Sequence, residues 1–201
     1  MYKRQVAVEG SYAGYLLISD VVKPHSADAI RALKASGVRK TVMLTGDAQP
    51  VAQAVAQQLG LDEYHAGLLP GDKVDQIEKL LAAKQPKENL AFVGDGINDA
   101  PVLAGADVGA AMGSGADAAI EAADVVFMKA DLTSIPISVK IARKANIVSK
   151  ENIVFALAVK ILVMILGLFG IASMWLAVFA DTGVAMLCVL NSIRMLYMKT
   201  E

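Results

Sequence analysis

From Asn152 to Ile193, 42 consecutive residues carry only two charged side chains, Lys160 and Asp181. A run that long has few places to go. It divides into two spans, about Asn152–Ile171 and Met174–Arg194, each about 20 residues, the length that crosses ~30 Å of hydrocarbon. The competing fold is a helical hairpin buried in a water-soluble core, but a 201-residue chain offers little interior for two such helices. The flanks set an orientation. Arg143, Lys144 and Lys150 precede the first span, Arg194 and Lys199 close the second, and the Ala172–Ser173 connection is uncharged. The positive-inside rule then places both ends in the cytoplasm. The two charges are costly at bilayer depth and mark a functional pathway or a structural salt bridge. At 1.5 Å per residue, Lys160 lies roughly 13 Å and Asp181 roughly 20 Å from the cytoplasmic side, so the two are predicted to meet.

The preceding 150 residues read differently. Asn89–Pro101 is Asn-Leu-Ala-Phe-Val-Gly-Asp-Gly-Ile-Asn-Asp-Ala-Pro. Leu90–Val93 is a short buried strand, and Gly94 and Gly96 let the backbone turn sharply after it. That turn presents Asp95, Asn98 and Asp99 at the carboxyl edge of a parallel sheet, where open α/β folds bind ligands. Two carboxylates four residues apart, with no cation between them, suit Mg²⁺ with a bound phosphate. A plain Asp-Gly turn with a capping Asp is the bland alternative.

Strands and helices alternate around this loop. Two short strands are predicted between Val6 and Asp20, the second at Tyr15–Ser19. A helix then runs from an N-cap at Ser26 to Ser36, a strand covers Thr41–Leu44, and a helix covers Gln49–Leu59 up to Gly60. Tyr64–Ala66 is a short strand. Asp72–Ala83 is a helix with Val74, Ile77, Leu80 and Leu81 on one face. After Pro101 come a helix to Ala106, strand Val108–Met112, helix Ala116–Ala122, strand Asp124–Met128 and a long helix from Ser138. This is a doubly wound, Rossmann-like α/β pattern over about residues 15–135. Met1–Gln5 fit no element and read as a leader. The net charge of −1 gives no basic surface for nucleic acid, and the single cysteine, Cys188, excludes a disulfide framework or a cysteine-based zinc site.

Two further loops end predicted strands. In Thr45-Gly46-Asp47, a hydroxyl and a backbone N–H could donate to a phosphoryl oxygen, although an ST-turn explains the tripeptide equally well. In Pro70-Gly71-Asp72-Lys73, Lys73 opens a helix, a poor place for a cation unless an anion sits there.

The three loops, in this order, resemble the second, third and fourth motifs of the haloacid dehalogenase superfamily, and Val93–Pro101 resembles the signature of its P-type ATPases. From about Val6 the chain resembles the carboxyl-terminal portion of the heavy-metal-transporting pumps. The resemblance implies a Rossmann-like phosphorylation domain followed by a transmembrane α-helical hairpin, in a multi-pass protein of the cell inner or plasma membrane. On that basis residues 1–14 are a leader and a remnant of a nucleotide-binding domain. Residues 15–150 are an incomplete cytoplasmic phosphorylation domain, and residues 151–198 are two transmembrane helices. It implies ATP and Mg²⁺ as cofactors. Thr45 and Lys73 would hold phosphoryl oxygens, with Asn98 on the phosphate. Asp95 would bind Mg²⁺, and Asp99 would hold the cluster or the metal's waters. Gly46 and Asp47 would shape the second loop near the nucleotide. Asp181-Thr182-Gly183 is similar to the Asp-x-Gly element of the zinc, cadmium and lead class. It implies a divalent heavy-metal ion at Asp181 and Lys160 as its counter-ion. The family's Asp-Lys-Thr-Gly-Thr nucleophile string is absent from these 201 residues, and Asp20, in Ser-Asp-Val-Val-Lys-Pro, does not replace it. The chain is therefore expected to be inactive alone and to need the amino-terminal part of the same pump. A membrane-anchored phosphatase and a non-catalytic regulatory fragment are the alternatives, and the Asp-x-Asp strand end expected of the phosphatase is absent.

Overall fold

The computed structural model describes residues 2–8, 11–18, 21–113, 116–129 and 131–197. The chain forms two compact units, Met1–Ser134 and Ile135–Glu201.

The first unit opens with an antiparallel hairpin, β1 (Tyr2–Val8) and β2 (Ser11–Ile18), in the register Tyr2↔Ile18 with an irregularity at Val6/Ala7. Tyr2–Gln5, expected as a leader, are thus half of a strand. Their partner lies beyond a turn, which is why the local pattern did not reveal them. The second strand begins four residues before the predicted Tyr15, and Ser19 and Asp20 lie outside the described residues.

From there the chain alternates. It passes through α1 (Ser26–Ala35), β3 (Val42–Leu44), α2 (Gln49–Leu59), β4 (Glu63–His65) and α3 (Pro70–Ala83). It continues through β5 (Ala91–Gly94), a 3₁₀ turn (Ile97–Asp99), α4 (Ala100–Gly105), β6 (Val108–Met112), α5 (Asp117–Ala122) and β7 (Val125–Phe127). The cap of α1 differs from expectation. His25 takes the left-handed conformation (φ 64°), so Ser26 is already helical, and it is buried.

All the strand pairs after the hairpin are parallel, as the crossovers require. They form two ladders rather than one continuous sheet, β3–β4 and β5–β6–β7. Among the described residues, β3 and β5 each have a ladder partner on one side only. The core lies where β6 is covered on both faces. Leu103, Ala111 and Ala119 are buried together, with Phe92 and Ile120 against them. A strand enclosed on both faces reads as a continuous run of small apolar residues, and Val-Gly-Ala-Ala-Met is one.

The second unit is a helical hairpin. Its first arm is α6 (Ser134–Leu168), 35 residues or about 52 Å long. It starts four residues before the predicted Ser138 and ends three before the predicted Ile171, where Gly170 turns the chain at φ 69°. The second arm is not one regular helix. It consists of α7 (Met174–Val178), a π-helical turn (Phe179–Gly183), α8 (Val184–Ile193) and a 3₁₀ turn (Arg194–Tyr197). Ser173 caps it by accepting a hydrogen bond from the Leu176 amide at 3.3 Å. Both arms are long and apolar enough to cross a membrane. Val148, Asn152, Ala156, Val159 and Val163 recur three and four apart as the less exposed side of α6. On the second arm, Ala180 and Val184 are buried. The remaining faces expose large side chains such as Phe155, Leu162, Met164 and Leu190, as lipid-facing helices do.

Candidate phosphate and ion sites

The loop after β5 is built around Asp99. A Cβ on Gly94 would lie 2.8 Å from the Cβ of Asp99, so only glycine lets that aspartate fold back beneath the strand end. The Asp99 amide donates to the Gly96 carbonyl at 3.0 Å, closing the 3₁₀ turn. Its side chain, 12% exposed, accepts a 2.8 Å hydrogen bond from Lys73 Nζ, whose side chain is 18% exposed. The Gly96 amide lies 3.4 Å from the other carboxylate oxygen. Asp95 and Asn98, on the same loop, are exposed. The Asp95 carbonyl accepts from the Ala116 amide at 3.0 Å, tying the loop to the start of α5.

Lys73 sits in the first turn of α3, where the helix dipole disfavours a cation. The Asp99 carboxylate supplies the required anion, so the lysine is neither a freely solvated surface group nor dependent on a bound phosphate. Asp72 beside it caps the helix by accepting from the Leu69 amide at 2.9 Å.

The Thr45 loop is a closed turn. Thr45 Oγ1 donates to Asp47 Oδ2 at 2.8 Å and accepts from the Asp47 amide at 3.1 Å. The Thr45 carbonyl accepts from Leu68 N at 3.1 Å, and the Asp47 carbonyl from Gly67 N at 2.8 Å. These bonds join Thr45, Gly46 and Asp47 to the segment that leads into α3 and Lys73. At the other end of β3, Thr41 donates to Asp62 through its amide at 2.8 Å and its hydroxyl at 2.7 Å, and Lys34 Nζ donates to the same carboxylate at 2.5 Å. The Lys34 ammonium, followed by the two Thr41 bonds, holds the Asp62 carboxyl down at about 2. Sequence reading missed this staple. Its members are 21 and 28 residues apart, and no local pattern links them.

In the hairpin, Lys160 Nζ lies 3.0 Å from Asp181 Oδ1, as the depth argument predicts. Asp181 sits on the π-helical turn, which sequence reading missed. A Cβ on Gly183 would lie 2.7 Å from the Phe179 ring, so that glycine lets the ring lie against the helix backbone. A second polar cluster lies nearer the ends of the arms. Asn152 Nδ2 donates to the Cys188 carbonyl at 3.2 Å and to Ser192 Oγ at 3.0 Å, and Asn191 Nδ2 donates to Asn152 Oδ1 at 2.7 Å. Arg194 pairs with Glu151 beside it.

Residues 2–107 match the family profile described as hydrolase: haloacid dehalogenase-like hydrolase. The chain belongs to that family. Over 190 residues it is 56% identical to the zinc-transporting ATPase of Synechocystis, an alignment covering 94% of this chain and 26% of the relative. It is 50% identical to the cadmium, zinc and cobalt-transporting ATPase of Bacillus subtilis, over 98% of this chain and 28% of the relative. The chain thus spans about a quarter of the length of these curated relatives. A crystal structure of a zinc-transporting PIB-type ATPase in the E2.Pi state superposes with a TM-score of 0.83 at 41% identity, over 96% of this chain and 31% of that one. The catalytic domain of a CPx-ATPase superposes with a TM-score of 0.54 at 35% identity, over 66% of this chain and 51% of that one.

Open α/β folds take ligands at the carboxyl edge of the sheet, and the donor set there fits Mg²⁺. Asp95 offers an exposed, hard carboxylate at the end of β5. One oxygen of Asp99 accepts from Lys73, and the other lies 3.4 Å from the Gly96 amide. Among the described residues no three His, Cys, Asp or Glu side chains gather into a metal cage. Mg²⁺ needs no such cage, since it keeps several waters and takes one or two carboxylates plus phosphate.

Proposed function

We propose that this chain is the carboxyl-terminal part of an ATP-driven efflux pump for Zn²⁺, Cd²⁺ or Pb²⁺ that works through an aspartyl-phosphate intermediate. The observation that carries the reading is the Lys160–Asp181 pair, 3.0 Å apart on two helices that carry no other charge between Asn152 and Ile193. A carboxylate with a cation poised beside it is what a site needs if it must hold a divalent ion and then let it go. With cargo present, Asp181 would give an oxygen ligand and Lys160 would swing aside. With cargo gone, Lys160 returns as the counter-ion, so an isolated negative charge never faces hydrocarbon. Zn²⁺ and Cd²⁺ accept carboxylate oxygen together with softer ligands.

The cytoplasmic chemistry follows from the first unit. The nucleophilic aspartate would come from the amino-terminal part of the pump. The one-sided pairing of β3 and β5 supports this, because a strand between them would complete a single sheet and place its carboxyl end beside Thr45 and Asp95. Lys73 has three N–H donors and spends one on Asp99, leaving two for phosphoryl oxygens. Thr45 would turn its hydroxyl from Asp47 to the phosphoryl group, while Asn98, exposed on its turn, contacts the phosphate and Gly46 and Asp47 shape the loop near ATP. Mg²⁺, held by Asp95 with Asp99 in support, would neutralise charge on the transferring group. Cationic flanks at both ends of the hairpin support a cytoplasmic first unit and a multi-pass protein of the cell inner or plasma membrane.

The test uses the full-length protein. Asp181→Ala is expected to abolish high-affinity Zn²⁺ binding and Zn²⁺-stimulated ATP hydrolysis, and Lys160→Ala to slow ion release more than it weakens binding. Normal Zn²⁺ binding by Asp181→Ala, or stimulation of the parent by Cu⁺ instead of Zn²⁺, refutes the assignment.

A further inference from the structure

The first arm of the hairpin is longer than a membrane needs, and the excess is chemically one-sided. From Leu132 to Lys150 there is no acidic residue, and Lys140, Arg143, Lys144 and Lys150 are all exposed. The next acid, Glu151, is already paired with Arg194. On a helix of 3.6 residues per turn the four cations fall on one side. That same side continues into a shallow, wide-open apolar groove on the surface of α6, lined by Ile147, Lys150, Glu151, Val154, Phe155 and Ala158. Cations and groove share an arc of about 140°, centred roughly 130° around the helix from the Val148–Asn152–Ala156 seam. The centre of this face is therefore turned away from that seam, while Glu151 within it pairs with Arg194 of the second arm.

Resting on the reading of α6 as a membrane span, we propose that this face seats an anionic phospholipid of the cytoplasmic leaflet. The headgroup phosphate would lie against Lys150, Lys144 and Arg143, with an acyl chain along Val154, Phe155 and Ala158. The heights agree with this placement. Lys150 lies about 3 Å above the start of the span at Asn152, and Arg143 and Lys144 about 12–14 Å above it, at 1.5 Å per residue. The headgroup layer adds ~5–8 Å on each side of the hydrocarbon, and long basic side chains reach down to it. Lys140, about 18 Å up, contributes through the field within a Debye length of ~8 Å. Vertical order sets the chemistry: cations at phosphate level, then Glu151, whose charge is paired with Arg194, then branched and aromatic side chains at acyl level.

The experiment reconstitutes the 201-residue chain in bilayers of phosphatidylcholine mixed with phosphatidylglycerol, extracts it in mild detergent and identifies retained lipid by mass spectrometry. Phosphatidylglycerol is expected to be enriched over phosphatidylcholine, and the enrichment to fall roughly fivefold for each of Lys150→Gln, Lys144→Gln and Arg143→Gln at low salt. Phe155→Ala is expected to shorten lipid retention without changing the headgroup preference. Equal retention of the two lipids, or a triple-glutamine variant as selective as the parent, overturns the proposal while leaving the membrane reading intact. Full displacement of the lipid by soluble glycerol phosphate also overturns it, since the acyl groove would then contribute nothing. Failure of the chain to resist alkaline extraction from the bilayer removes the membrane reading, and this inference with it.

Discussion

Removing the Asp99 carboxylate tests whether the loop after β5 is held together by the pair it forms with Lys73. The two side chains are 12% and 18% exposed, between the surface and interior regimes. Exposed pairs contribute about 0–1 kcal/mol, whereas deleting one partner of a buried pair costs about 3–5 kcal/mol because the other charge is stranded. Asp99→Ala should therefore destabilise the first unit by about 2 kcal/mol, most of it from leaving the Lys73 ammonium at the positive end of α3. The lost contact to the Gly96 amide, at 3.4 Å, is too long to add much. Lys73→Met should cost about 1–2 kcal/mol, and the double variant should cost less than the sum of the two by a coupling of about 1–2 kcal/mol. Hydrogen exchange of the β5 and α4 amides in detergent micelles reads the local opening free energy in all four proteins. Additive losses, with a coupling below about 0.3 kcal/mol, would show that the 2.8 Å contact carries no energy and that the loop is held by its backbone turn alone.

Two other consequences follow from the first unit. Asp62 has its carboxyl lowered from 3.8 to about 2, so its contribution is present above the ordinary value and lost as pH falls through about 2. Lys34 and Asp62 are each a little over a third exposed (36% and 37%), which reduces that contribution to about 1 kcal/mol. Asp62→Asn should flatten the acid limb of the melting midpoint over that window, and an unchanged slope would rule the staple out. Gly94→Ala should cost about 1–3 kcal/mol because its methyl meets Asp99 Cβ at 2.8 Å. Gly96→Ala, whose nearest neighbour is at 3.5 Å, should cost less than about 1 kcal/mol. Equal melting temperatures for the two variants would contradict the packing argument.

Legibility in the sequence followed the range of the interactions. Gln49–Leu59 and Val108–Met112 appear at their predicted bounds because their signals are local: a proline at the start and Gly60 in the left-handed conformation for the helix, an apolar run for the strand. The Lys160–Asp181 contact could be read because a helix converts residue number into depth. What stayed hidden depends on partners distant in sequence, or on competition between acceptors. Tyr2–Gln5 become a strand only through β2. The Thr45 hydroxyl had two plausible acceptors, and the structure gives it to Asp47. The Lys73 anion is a carboxylate 26 residues away. The division into two ladders is a property of edges, and one-dimensional alternation carries no information about which edge is left unpaired.

The π-helical turn gives the hairpin a property its composition does not suggest. Lys160 and Asp181 touch, yet 54% and 77% of their side-chain surfaces stay uncovered by the hairpin. In a bilayer those surfaces cannot face acyl chains, because hydrocarbon solvates neither ion and one contact at 3.0 Å leaves most of their hydrogen-bonding capacity unused. The side of the hairpin bearing the pair must therefore meet water or polar protein within the membrane. Asp181 also sits on a π-helical turn. A π turn breaks the regular α ladder, and such turns recur at functional sites. Gly183 admits the Phe179 ring against the backbone of this turn. A purely structural salt bridge would need no such interruption, since two regular helices can bring a lysine and an aspartate together. The combination of a broken ladder, a largely uncovered carboxylate and an adjacent cation supports the proposed role of the pair in holding and releasing a divalent ion.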